Sequence, residues 1–178
     1  MWALVESNSI TKTFNAPKGF TLGDIQYPAS IFTLWSKSEK EAIGLYEIIV
    51  DNTNFKDPTY YLNGAESITW DSSARTVTKA FASATAQDLA SLKKSRKDQV
   101  NGEAASILAP TDWMVVRAAE GGTAVPSSTT TKRAAVRTKA NAMCVQIDGA
   151  SDVDALAALY RYNDDTPAVR PLGELPAV

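Results

Sequence analysis

The hydrophobic period of this 178-residue chain changes once, near Thr85, and that change limits its fold more than any single motif does. Up to residue 84 the pattern is short apolar runs broken by turn residues. Trp2 to Val5 and Ile10 to Phe14 flank Ser7-Asn8 as a hairpin would, and Pro17-Lys18-Gly19 ends the second strand. Ser36 or Ser38 can cap a short helix through Ile43, with Glu39 and Glu41 in its first turn and Gly44 just past its end. A strand is predicted at Leu45 to Val50, then a loop from Asp51 to Pro58. Asn63-Gly64 is the strongest local turn signal, and Ile68/Trp70 face Val77/Phe81 across Asp71-Ser72-Ser73-Ala74 in a second hairpin.

Beyond Thr85 the spacing becomes helical. Leu89, Leu92, Arg96, Val100, Ala104 and Ile107/Leu108 recur every three or four residues, Thr85-Ala86-Gln87-Asp88 reads as a capping box, and Pro110 sets the end. This predicts a helix from about 86 to 108, in which Gly102 costs about 0.8–1.0 kcal/mol relative to Ala. Trp113 to Arg117 reads as a short extended segment. Gly121-Gly122 and the run Ser127 to Thr131 read as a flexible loop before a second helix over roughly 129–147, with Val136, Ala140, Met143 and Ile147 as its apolar stripe. A short third helix follows Gly149, with Ser151 and Asp154 as a capping box and Val153, Leu156, Ala157 and Tyr160 on one face. Pro167, Pro171 and Pro176 exclude a regular helix from the tail, whose Val169, Leu172 and Leu175 are the residues that would dock it. The expected fold is α+β: a β-rich region over 1–84, a helical region over 85–163 and an extended arm over 164–178.

The side-chain inventory narrows the chemistry. The chain has no histidine, which removes the commonest general base, the commonest metal ligand and the usual nucleophile pairs. Cys144 is the only cysteine, so no disulfide forms within the chain, and its place beside Met143 on an apolar stripe makes it a small core residue. Asp148, Asp152 and Asp154 lack the spacing of a calcium loop, and the last two are explained as first-turn residues of a helix. Gly121-Gly122-Thr123 lacks the spacing of a phosphate loop. The amino terminus lacks the pattern of a signal peptide and no apolar run approaches about 18 residues. No catalytic residue, cofactor, metal or membrane segment is therefore expected.

Formal net charge is -2, yet residues 111–147 carry five basic and two acidic groups while 148–178 carry two and six. Lys93, Lys94, Arg96 and Lys97, with Lys132, Arg133, Arg137 and Lys139, are read as a solvated helix face with ion pairs, because no aromatic residues for stacking bases are interleaved. Trp2, Trp35, Trp70 and Trp113 fall one to an element, as core or interface anchors.

At Leu108-Ala109-Pro110-Thr111-Asp112-Trp113, followed by Lys132-Arg133-Ala134-Ala135-Val136-Arg137, the sequence resembles the phage tail assembly chaperone family. That family runs a helix into a Thr/Ser-Asp-Trp motif, a variable loop with a proline (here Pro126), and a second helix bearing R-x-x-[LV]-R. A weaker resemblance, to a module of small tail-fibre-associated proteins, lies in Ser38 to Ala42 and Ile43-Gly44-Leu45-Tyr46. On physical grounds the Trp113 ring can cover the seam between two helices, Thr111 or Asp112 can cap nearby backbone, and an arginine one turn down the second helix can reach Asp112. Replacing Arg137 by alanine is accordingly expected to weaken this helical hairpin or partner binding.

The resemblance implies a non-enzymatic tail protein that binds tail or tail-fibre subunits. It would be multi-copy or homo-oligomeric, found in the host cytoplasm during assembly and then in the virion tail. Thr111, Asp112, Trp113, Arg117, Arg133 and Arg137 are the motif and partner-binding candidates, and the arm adds Leu172 and Leu175. The alternatives are a transient fibre-assembly chaperone that leaves before the virion is complete and, more remotely, a nucleic-acid-binding module whose affinity would fall steeply with salt.

Overall fold

Ser7 and Asn8 both adopt positive φ, 48° and 65°, the conformation of a two-residue hairpin turn whose twist suits the flanking strands. The turn joins β1 (Trp2–Glu6) to β2 (Ser9–Phe14), so the first hairpin is where the sequence places it. The computed structural model describes residues 1–177, and the chain divides into two units, Met1–Thr85 and the residues from Ala86 onward. Its class is mixed α+β, strands first and helices after.

In the first unit, β1 and β2 continue through β3 (Phe20–Leu22), β4 (Ile25–Tyr27), β5 (Leu45–Asp51), β6 (Tyr61–Leu62), β7 (Glu66–Asp71) and β8 (Thr76–Phe81); β9 (Thr85–Ala86) falls at the boundary. Five strands form one sheet in the order β2-β1-β5-β8-β7, antiparallel except for the β5–β8 pair. Alternation along the strands covers both faces. Leu4, Phe14 and Leu45 pack with Phe20 and with Ile31 and Phe32 of α1 (Ile31–Leu34), while Ala3, Tyr46, Ile48 and Val77 form the other cluster. The capping box of α2 (Lys37–Ala42) is made by Ser36: its hydroxyl accepts from Glu39 N–H and the Glu39 carboxylate accepts from Ser36 N–H. Gly44 follows at φ +79°, as the end of that helix requires.

The second unit contains α3 (Leu89–Leu108), a 3-10 turn (Ala109–Thr111), α4 (Asp112–Ala119), α5 (Ser127–Gly149) and α6 (Val153–Ala158). Helices α3 and α5 pack together. Val100 and Ala104 are buried on α3, and the whole expected stripe of Val136, Ala140, Met143 and Ile147 is buried on α5. Val153 and Leu156 are buried on α6.

Five local readings need correction. Trp113 to Arg117 is helical: the 3-10 turn through Pro110 passes the chain directly into α4, and a run this short carries too little period to separate strand from helix. Ser127 to Thr131 is the first part of α5 rather than a loop, entered from Pro126 at φ -54° and tolerating hydroxyls that bond back, as Thr130 does to Pro126 O at 3.3 Å. Asp88, not Thr85, caps α3, accepting from Ser91 N–H at 2.7 Å. Asp152, not Ser151, caps α6, accepting from Ala155 N–H at 2.8 Å. Asn63-Gly64 forms no tight turn; the Asn63 amide instead receives Lys56 N–H and donates to Lys56 O, both at 2.8 Å, as a neighbouring strand would.

The segment after α6 contains no helix or strand among the described residues. It is tied to its own unit: Leu172 is 0% exposed, its N–H donates to Leu159 O at 3.0 Å, and Lys139 Nζ donates to its carbonyl at 2.9 Å. Val178, the last residue of the expected arm, lies outside the described residues.

Candidate functional site

The residues of the Thr-Asp-Trp stretch and the arginines of α5 meet where α3 gives way to α4. A helix end leaves its last carbonyls without N–H partners. Here the carbonyl of Leu108 is supplied from outside the helix: Arg133 Nη1 donates to it at 2.8 Å and to Thr111 Oγ1 at 2.5 Å, while Arg133 Nη2 donates to Asp112 Oδ1 at 2.7 Å. Thr111 stands at the start of α4 but caps no N–H; its hydroxyl donates back to Leu108 O at 2.9 Å. Arg133 is thereby a buried charged residue, 9% exposed, whereas its partner Asp112 remains open to solvent.

The structure separates the other motif residues. Trp113 does not cover the seam. It lies on α4 with 54% of its surface exposed, and the Arg117 guanidinium stands 4.7 Å from its ring centre. Arg117 Nε is buried without a hydrogen-bond partner among the described residues, so its planar group is held by the indole face. Arg137, one turn beyond Arg133, is exposed and forms no ion pair or hydrogen bond among the described residues, so the fastening expected of that position belongs to Arg133.

Beside this lock is a pocket of about 260 Å³, lined by Val115, Val125, Thr130, Arg133 and Arg137. Val115 and Val116 are 43% and 56% exposed; Val116 neighbours Trp113 at i,i+3, while Val115 turns to the pocket side of α4. The helix closes with Gly121 at φ +84°, Gly121 N–H on Ala118 O and Gly122 N–H on Arg117 O, which turns the chain toward Val125. The sequence reading missed Val115, Val125 and Thr130, since residues this far apart share no period. Their only signal is their place on either side of a Gly-Gly stop.

Leu172 and Leu175 are not part of this site. Leu172 is buried as described, and Leu175 lines a separate groove with Gln99, Gly102, Glu103, Ser106, Ile107 and Glu174. The tail above them is clasped by Glu174, which accepts from Tyr162 Oη and Arg170 Nη2, each at 2.7 Å; the tyrosine bond first and the arginine after it hold the Glu174 carboxyl below its ordinary range.

Other charged groups are spent on structure. Lys97 and Lys94 pair with Asp148 and Asp98, each at 2.7 Å, and Lys93 donates to Asp148 O at 2.9 Å. Burial pushes the Cys144 thiol up, away from the thiolate a nucleophile needs. Among the described residues no three His, Cys, Asp or Glu side chains are grouped to hold a metal, and no helix is long and apolar enough to cross a membrane. Compared with family models, curated proteins and solved structures, the chain matches none.

Proposed function

We propose that this chain is a non-enzymatic component of bacteriophage tail morphogenesis that binds tail or tail-fibre subunits through the surface made by α4 and the start of α5. The reading is supported by the resemblance at Thr111-Asp112-Trp113 and Arg133/Arg137 together with one observation. The residues that resemble the motif separate into a lock, Arg133 with Thr111 and Asp112, and an outward Trp113, beside which Val116 is exposed three residues on. Exposed tryptophan and aliphatic side chains on a helix are the composition of a protein-binding anchor. The lock ties the first residue of α4 to α5, and α4 presents the anchor.

Quantitative mass spectrometry of purified virions against infected-cell lysate tests this. A fixed ratio to known tail subunits in the particle is expected of a structural component. Abundance in lysate with absence from particles assigns the transient chaperone role, and co-purification with neither tail nor fibre subunits removes the reading.

A further inference from the structure

We propose that the pocket between α4 and α5 takes an acidic segment of a partner protein, one apolar side chain entering between Val115 and Val125 while a nearby carboxylate meets Arg137. This rests on reading the chain as a protein-binding component and adds the chemistry of what it binds.

The committed and uncommitted charges at the pocket differ. Arg133 lines it but gives its donors to Leu108 O, Thr111 and Asp112. Thr130 donates its hydroxyl to Pro126 O. Arg137 alone among the lining residues brings a full charge with no partner among the described residues, and its planar fork matches a carboxylate in two parallel hydrogen bonds. The region agrees in sign, with five basic and two acidic residues across 111–147.

Size and wall chemistry fix the rest. At about 260 Å³ the pocket is smaller than the ~300–1,000 Å³ clefts of drug-sized ligands, and it suits a side chain better than a free metabolite. Its valine walls reward an apolar group. A polyanion is disfavoured because the half-exposed Asp112 carboxylate stands beside Arg133 and the Trp113 face is already taken by Arg117. The complementary ligand is a carboxylate with an apolar neighbour.

The test uses the full chain and fluorescein-labelled peptides of about 12 residues, read by anisotropy. One peptide carries a central Leu flanked by Glu; a second has Lys for Glu; a third has Ala for the central Leu; a dT20 oligonucleotide is the fourth probe. The Leu/Glu peptide is expected to bind at least about tenfold more tightly than either variant peptide. Arg137→Glu should invert the Glu-over-Lys preference, and Val115→Asp should abolish binding. Both sites are exposed, and an unchanged melting temperature confirms that the variants fold.

Absence of saturable binding by the Leu/Glu peptide, indifference to peptide charge, or a preference that survives Arg137→Glu would each overturn the proposal. So would tighter binding of dT20 that Arg137→Glu removes, since that assigns the pocket to phosphate. Particle composition is an independent readout: peptide failure with the protein retained in virions removes only the pocket assignment. Peptide binding with the protein unrelated to tail subunits removes only the tail assignment.

Discussion

Arg133 holds Asp112 at 2.7 Å and, with its other terminal nitrogen, the carbonyl of Leu108 at 2.8 Å. One side chain of α5 thereby joins the last turn of α3 to the first turn of α4. The two contacts differ in worth. The Asp112 carboxylate is exposed, and an ion pair with one exposed partner contributes about 0–1 kcal/mol. Leu108 O keeps the Thr111 hydroxyl as a donor, but it and Thr111 Oγ1 are partly buried, and losing the charged donor they share costs about 1–3 kcal/mol, with the packed stem of a buried arginine added.

Arg133→Met is therefore expected to lower unfolding free energy by about 2–4 kcal/mol, Asp112→Asn by about 0.5–1, and Arg137→Ala by no more than about 0.5. Arg133→Lys should recover only part, because an ammonium cannot serve three acceptors in a fork. Urea titration of the four variants checks the order. An Arg137→Ala loss matching that of Arg133→Met would contradict it.

Leu172 makes a second prediction. It is fully buried and bonded at both backbone groups, to Leu159 O and from Lys139 Nζ. Leu172→Ala should cost about 2–4 kcal/mol, as other buried leucines do. Val169→Ala, in the same segment but exposed, should cost under about 0.5. Equal effects in thermal melts would show that the segment is not docked in solution.

The fold was legible where one rule dominated. Val136, Ala140, Met143 and Ile147 carry a clean helical period and all four are buried, and Ser7-Asn8 and Gly44 sit where positive φ is needed. Legibility failed where two rules competed. Val115 and Val116 carry strand propensity, but neighbouring helix geometry decided for α4. Thr85 and Ser151 satisfy a capping pattern, but a stronger acceptor lay nearby in Asp88 and Asp152. At the site, the sequence named both arginines but could not choose between them. The choice depends on the rotation of α5 about its axis, which faces residue 133 inward and residue 137 outward.

Two glycines give opposite expectations. Gly44 sits at φ +79°, and a Cβ there would lie 2.4 Å from Val5 O, whose own N–H donates to Gly44 O at 2.8 Å. Gly44→Ala must strain the backbone and disturb the β1–β5 junction, for a loss of about 2–3 kcal/mol. Gly102 lies within α3 with open space around the added carbon, so Gly102→Ala should stabilise by about 0.5–1 kcal/mol. Differential scanning calorimetry should therefore move the melting temperature down for the first and up for the second.

Stability should depend on pH at the two ends of the range and not between them. The Asp88 carboxyl is held below its ordinary range chiefly by Ser91, Asp152 by the Ala155 N–H and then the Ser151 hydroxyl, and Glu174 by the Tyr162 hydroxyl and then Arg170. Each folded value lies below its unfolded one, about 3.9 for Asp and 4.3 for Glu, so the stabilisation is present above those values and is lost as pH falls through the folded ones. Cys144 has the opposite sign: burial raises it, so its contribution is full below the unfolded value of about 8.5 and is lost as pH rises through the folded one. The chain has no histidine, the side chain whose ordinary value falls between. Urea midpoints should be level from about pH 5.5 to 7.5 and fall on the acid side. Asp88→Asn with Asp152→Asn should shrink that acid limb, leaving the part due to Glu174, Glu39 and Asp51, while barely changing the plateau, because asparagine caps a helix as aspartate does. A step in the wild-type plateau near pH 6.5, or an acid limb unchanged in the double variant, would show that other groups control stability.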